Sequence, residues 1–127
     1  MLNRLTLMGV TMTLVLYLGA LHGQSATEIY IPVGKSPGIS GTATIVGTID
    51  DIDPQHQSMT LSDASGTYKV AITGETKIWL EKSMIKKQNQ VGSPSDCKPG
   101  LKAEVKYAED RIAESVTAEW IKVQITN

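Results

Sequence analysis

Four side chains in this sequence carry soft or borderline donor atoms: His56, Met59, Met84 and Cys97. Thioether, thiolate and imidazole together select Cu(I), and the same softness suits Ag(I). His56 and Met59 stand only three positions apart, but a turn followed by a strand points such neighbours in different directions. Methionine ordinarily fills irregular gaps in a core. Met59 and Met84 are therefore expected inside and His56 in solvent, with no cofactor bound. The soft-metal set is kept as the alternative.

Other chemistry has less to stand on. A Ser–His–Asp triad has only His56 to draw on once His22, near the N-terminus, is set aside. No serine sits in a G-x-S-x-G elbow. A hydrolase is the second alternative, and the expectation is a non-enzyme. GKSPGISG lacks the G-K-[ST] ending of a phosphate loop. Asp50, Asp51 and Asp53 cluster, but no D-x-D-x-D-G loop with a distal glutamate follows, so they read as solvated strand-end charges.

Aromatic and basic residues offer a surface instead of a catalytic centre. Trp79 and Tyr30 lie beside irregular segments and are expected to be partly exposed. Tyr68, Tyr107 and Trp120 are expected to supply core bulk, since the chain has no phenylalanine. Lys82, Lys86 and Lys87 form a local basic patch, and a helix there would put Lys82 and Lys86 on one face. Trp79, Tyr30, Lys82 and Lys86 are the expected ligand or partner surface.

The N-terminus sets the compartment. Arg4 supplies a positive start, residues 5–18 are almost wholly apolar or small, and Gly19, Ala20, Gly23, Ser25 and Ala26 follow. That is the order of a secretory leader with a cut near residue 25. The apolar run of about 14 residues falls short of the ~20 a spanning helix needs. No stable transmembrane segment is expected after processing, and the mature protein is expected to be periplasmic or secreted. Arg4 is the only charged residue of the leader, so 11 of the 12 cations and all 13 anions remain, a formal charge of −2. Such a balance offers no field for nucleic acid. Cys97 is the only cysteine and cannot form an internal disulfide. It is either buried or free to pair between chains.

These residues need a frame. Residues 26–43 hold Pro32, Gly34, Pro37, Gly38 and Gly41. Their density argues for an extended arm, either a spacer or a strap on the barrel, with a turn at Pro37–Gly38. From Thr44 onward, period-two stripes appear. Ile45, Val46, Ile49 and Ile52 mark a first strand, with a bend or bulge at Gly47. Met59 and Leu61 mark a second strand, and Tyr68, Val70 and Ile72 a third. Asp53–His56 and Asp63–Gly66 are turns. Residues 76–80 extend the sheet. Residues 81–90 favour one or two helical turns with Met84 and Ile85 inward. Leu101, Ala103, Val105 and Tyr107 mark a fourth strand, and residues 115–125 a fifth. Ala118 and Trp120 have one parity, and Ile121, Val123 and Ile125 the other, so a bulge near Trp120 is expected. The fold class is all-β: a small five-stranded antiparallel OB-like barrel with a short helix or helical turn between strands three and four.

The motif order GTIDDID (47–53), SMTLSD (58–63), YKVAITGETKIW (68–79), DCKPGLKAEVKY (96–107) and TAEWIKVQI (117–125) resembles exported bacterial OB-like domains of unknown function. The resemblance implies an antiparallel barrel and a buried Cys97 in a place commonly held by a Leu-like residue. A weaker, scaffold-level resemblance is to periplasmic copper and silver chaperones. Their W-x-x-M-x-M string is absent here, so that site does not carry over. The expected organisation is a leader (1–25), an arm (26–43) and a barrel (44–127). The expected role is a non-catalytic binding or assembly module in the envelope. Its partner, a protein, peptide or glycan, is unknown.

Overall fold

The computed structural model describes residues 27–127. The expected leader lies outside the described residues. Seven strands follow one another: β1 (Thr44–Asp53), β2 (Ser58–Asp63), β3 (Gly66–Ala71), β4 (Lys77–Glu81), β5 (Gln90–Val91), β6 (Lys102–Tyr107) and β7 (Ser115–Gln124). They form one sheet in the order β3-β2-β1-β6-β7-β4-β5, closed into a barrel by pairing of β3 with β7. The expected five-stranded OB-like barrel is present, with β3 and β4 acting as two halves of its third strand. Both halves run parallel to β7, whereas the other pairings are antiparallel.

The interruption of the third strand and a bulge in β7 fall at the same level. β3 pairs with Ser115–Thr117 and β4 with residues 120–124. Between them, Lys106 faces Trp120 while Tyr107 faces Ala118, leaving Glu119 as the extra residue. The Thr76 hydroxyl donates to the Ala118 carbonyl at 2.7 Å and bridges the gap. One extra residue flips the side-chain parity, so Ala118 and Ile121 both enter the core. A second bulge at Asp50 does the same for Ile49 and Ile52, because Ile49 faces Leu61 and Asp51 faces Thr60.

The inward stripes expected of strands two, three and four are observed. Val70 and Ile72, Met59 and Leu61, and Ala103, Val105 and Tyr107 share one core with Cys97, Ile121 and Val123. Gly47 has a different role from the expected bulge. A Cβ there would lie 2.3 Å from the Ser62 carbonyl oxygen and 3.3 Å from Leu61 Cγ. The residue lets β2 cross closely over β1. Gly47→Ala is expected to destabilise the barrel by about 1–3 kcal/mol through overpacking against backbone, read as a lowered urea midpoint at unchanged slope.

Residues 81–90 do not form the expected helix. Only a 3₁₀ turn at Ser83–Ile85 appears, ended by Lys86 at φ 54°. Asn89 Oδ1 accepts from the Lys82 amide at 2.6 Å and folds the segment back on itself. Met84 is therefore 63% exposed, not packed inward. A second 3₁₀ turn, Pro94–Asp96, leads into Cys97. Among the described residues, no helix is long and apolar enough to cross a membrane.

Candidate functional site

The arm is a strap. Residues 27–43 lie across the outer face of β1, β6, β7 and β4 and bury a surface that period two assigns to solvent. Register sets the row beneath it: Val46 faces Glu104, Glu104 faces Lys122, and Lys122 faces Trp79. Glu81, Glu104 and Lys122 are all at most 1% exposed. Each finds its partners in or beside the strap. Glu104 accepts from the Gly34 amide at 2.9 Å, the Ser40 hydroxyl at 2.6 Å and the Thr44 hydroxyl at 2.7 Å. Glu81 accepts from the Val33 amide at 2.9 Å and from the amide and hydroxyl of Ser83 at 2.8 Å. Lys122 donates to Glu28 at 2.9 Å and to the Ser36 hydroxyl at 3.1 Å, with its ammonium 4.8 Å from the Trp120 ring centre. Among the described residues, every buried side-chain nitrogen or oxygen has a partner, as buried polar groups require. The strap's own turn is at Ser36-Pro37-Gly38-Ile39, where Gly38 takes φ +72° and the Ile39 amide donates to the Ser36 carbonyl.

This strap corrects the expectation for Trp79. The indole is 7% exposed and stacks, tilted, on Trp120 with ring centres 5.6 Å apart. Trp120 is likewise buried, but beneath the strap and outside the barrel core. Tyr30 is 65% exposed, as expected.

The soft donors are placed apart. His56 stands in the exposed β1–β2 turn, where its ring nitrogen meets Asp53 Oδ2 at 2.7 Å. That hydrogen bond holds the Asp53 carboxyl below its ordinary value. Met59 is in the core, Met84 on the exposed 3₁₀ turn, and Cys97 in the core at 2% exposure. Among the described residues, no group of three or more His, Cys, Asp or Glu side chains gathers as a metal site.

Burial, with a smaller contribution from the Asp96 carboxylate, pushes the Cys97 thiol up to about 11. An unfolded thiol, near 9, loses its proton first. Between those values the unfolded state holds fewer protons, so stability falls as pH rises. The loss is on the order of 2 kcal/mol from about pH 9 to about pH 11. Comparing denaturant midpoints of the wild type and Cys97→Val across that window isolates this slope, which the variant lacks.

Two surfaces remain open. One is a groove of about 440 Å³ between the β1–β2 turn and the third-strand interruption, floored by Ile52, Pro54, Ile72 and Pro94. None of the expected surface residues lines it. The other is the corner where β4 and β5 meet the start of the strap. Asn89 Nδ2 donates to the Ile29 carbonyl at 2.6 Å, which places Tyr30 beside this corner. Met84 is 63% and Val91 76% exposed, so among the described residues this corner holds three of the four exposed large hydrophobics, the fourth being Ile112 in the β6–β7 loop. Lys86 and Lys87 are exposed there, and the half-buried Lys82 reaches Gln90 Oε1. None of the three lysines forms an ion pair among the described residues, where the only pairs are Asp53–His56, Lys106–Glu119 and Glu28–Lys122. Tyr30, Lys82 and Lys86 were legible as surface; Val91 was not. Its signal is a lone valine between Gln90 and Gly92, with no period-two pattern around it.

No protein-family model matches this chain, and no curated protein matches it. Among solved structures, the chain is similar to CusF. The Ag(I) form has a TM-score of 0.41 at 18% identity, covering 63% of this chain and 93% of that one. A second Ag(I) form, from Escherichia coli, has a TM-score of 0.42 at 18% identity, covering 65% and 90%.

Proposed function

We propose that the protein is an exported, non-catalytic binding or assembly module whose recognition surface is the β4–β5 corner with the start of the strap. In this reading residues 1–25 are the leader. The strap and the barrel act as one unit in the periplasm or outside the cell. One observation carries the reading: Tyr30, Met84 and Val91 are each exposed around the β4–β5 hairpin and the strap segment tied to it through Asn89, with three lysines that have no acidic partner among the described residues. Singly exposed hydrophobics need no explanation, but a cluster with a basic rim marks an interaction site. Trp79 contributes from beneath, by holding β4 under the strap.

The test uses the processed protein purified from the exported fraction, its N-terminus read by mass spectrometry. A chain beginning near residue 26 is expected. Immobilised wild type should retain an envelope component that the triple variant Tyr30→Ser, Met84→Ser, Val91→Ser does not. All three sites are exposed, so the thermal midpoint should hold. Equal retention by both proteins would overturn the reading.

A further inference from the structure

We propose that the β4–β5 corner docks onto the surface of an anionic lipid bilayer, with Met84 and Val91 entering the headgroup layer and the lysines meeting lipid phosphates. This rests on the reading of the corner as the recognition surface and names its partner.

The shape favours a soft, flat partner over a protein pocket. Met84 sits on a 3₁₀ turn and Val91 on a two-residue edge strand. At 63% and 76% exposure both side chains stand out into solvent. Protruding apolar side chains ringed by lysine are what an interfacial site needs: the apolar tips bury in the acyl boundary while the ammonium groups stay at the phosphates. Tyr30 adds an amphipathic ring of the kind favoured at headgroup depth.

Charge fixes the orientation. The chain beyond the leader is net negative, so most of its surface is repelled by anionic lipid. Of the carboxylates flanking this corner, Glu81 is buried under the strap and Glu28 is paired with Lys122, while the half-buried Asp96 accepts from the Ser93 amide at 2.8 Å and keeps its charge. Lys82, Lys86 and Lys87 are left to act on the membrane, each worth roughly fivefold in partitioning near such a surface.

The experiment sediments the processed protein with vesicles rich in phosphatidylglycerol and, separately, with phosphatidylcholine vesicles. Binding is expected to the first and not to the second. Lys82→Gln, Lys86→Gln, Lys87→Gln should weaken partitioning on the order of 100-fold. Met84→Trp should shift its emission to the blue only with the anionic vesicles. The proposal is overturned if the wild type ignores phosphatidylglycerol, or if the lysine variant binds it as well as wild type does. Loss of envelope retention in the Tyr30, Met84 and Val91 variant, without vesicle binding by the wild type, would sink the lipid proposal. The corner would then stand as a surface for an acidic protein. Vesicle binding that survives in that same apolar variant and in the lysine variant alike would sink both readings.

Discussion

Glu104→Ala is expected to lower the unfolding free energy by about 3–5 kcal/mol. Three donors converge on this carboxylate: one amide and two hydroxyls, at 2.6–2.9 Å. Hydrogen bonds to a charged group contribute roughly 1.5–3 kcal/mol each, and a buried donor left unpaired carries its full desolvation cost. Glu104 is 0% exposed, so alanine also leaves a cavity that no side chain is placed to fill. The loss has a ceiling. Once it exceeds the net free energy of docking residues 27–43, the strap detaches and water satisfies the orphaned groups. Lys35 is exposed, whereas the following Ser36 is buried. Trypsin should therefore cut after Lys35 in the variant under conditions where the wild type resists. Tryptophan emission should move to the red as Trp79 and Trp120 lose their cover. Glu104→Gln keeps the volume but places an amide donor among donors, and should fall between the two. Urea midpoints for the three proteins, with emission spectra recorded below each transition, check the order. A Glu104→Ala midpoint within error of wild type would mean that the strap contributes nothing measurable.

This latch marks the boundary of what the sequence makes legible. Period two is a property of one strand and a dry interior. It finds Tyr68, Val70 and Ile72, and it finds Ala103, Val105 and Tyr107, because both conditions hold there. By the same rule Glu104 and Lys122 belong in water. They are buried because a separate segment, some 80 positions away, lies over them. Periodicity within a strand carries no trace of such a long-range cover. The strap does leave a faint mark of its own. Ile29, Ile31 and Val33 alternate in the Gly- and Pro-rich arm, and Val33 is 4% exposed. Trp79 was misplaced for the same reason as Glu104. Its neighbour Ile78 points into the barrel, so Trp79 must point out, and only the strap turns "out" into "buried". The bulge at Glu119 was readable because two parities of apolar residues met in one strand. The bulge at Asp50 was masked by Gly47, which drew the expectation to the wrong position. The recognition corner was half legible: its lysines and Tyr30 stand out by type. Met84 looks like a core gap-filler by type and by a helical turn, and the Asn89 side chain that folds the segment back bonds to backbone rather than to a patterned partner.

Lys122→Met is expected to cost about 3–4 kcal/mol, and Glu28→Gln added to it should return a substantial part. The ammonium is wholly buried, 2.9 Å from a Glu28 carboxylate that is 13% exposed. Methionine fills most of the lysine's volume and keeps contact with the Trp120 ring, so cavity formation contributes little. The dominant cost is the carboxylate left without its counter-charge at a nearly closed site. Neutralising Glu28 removes that charge while its amide can still pair with the Ser36 hydroxyl, which now bonds Glu28 Oε2 at 2.9 Å. The cycle of wild type, both single variants and the double should therefore show a coupling energy of about 1–3 kcal/mol, well above the few tenths expected of independent sites. A surface pair would behave differently: Lys106 and Glu119 meet at 2.6 Å with side chains 29% and 55% exposed. Their cycle should give less than about 1 kcal/mol and fade with salt. Equal coupling in the two cycles would mean that the strap leaves Lys122 open to water in solution. The outer face would then be a further open surface of the barrel, with its two tryptophans available.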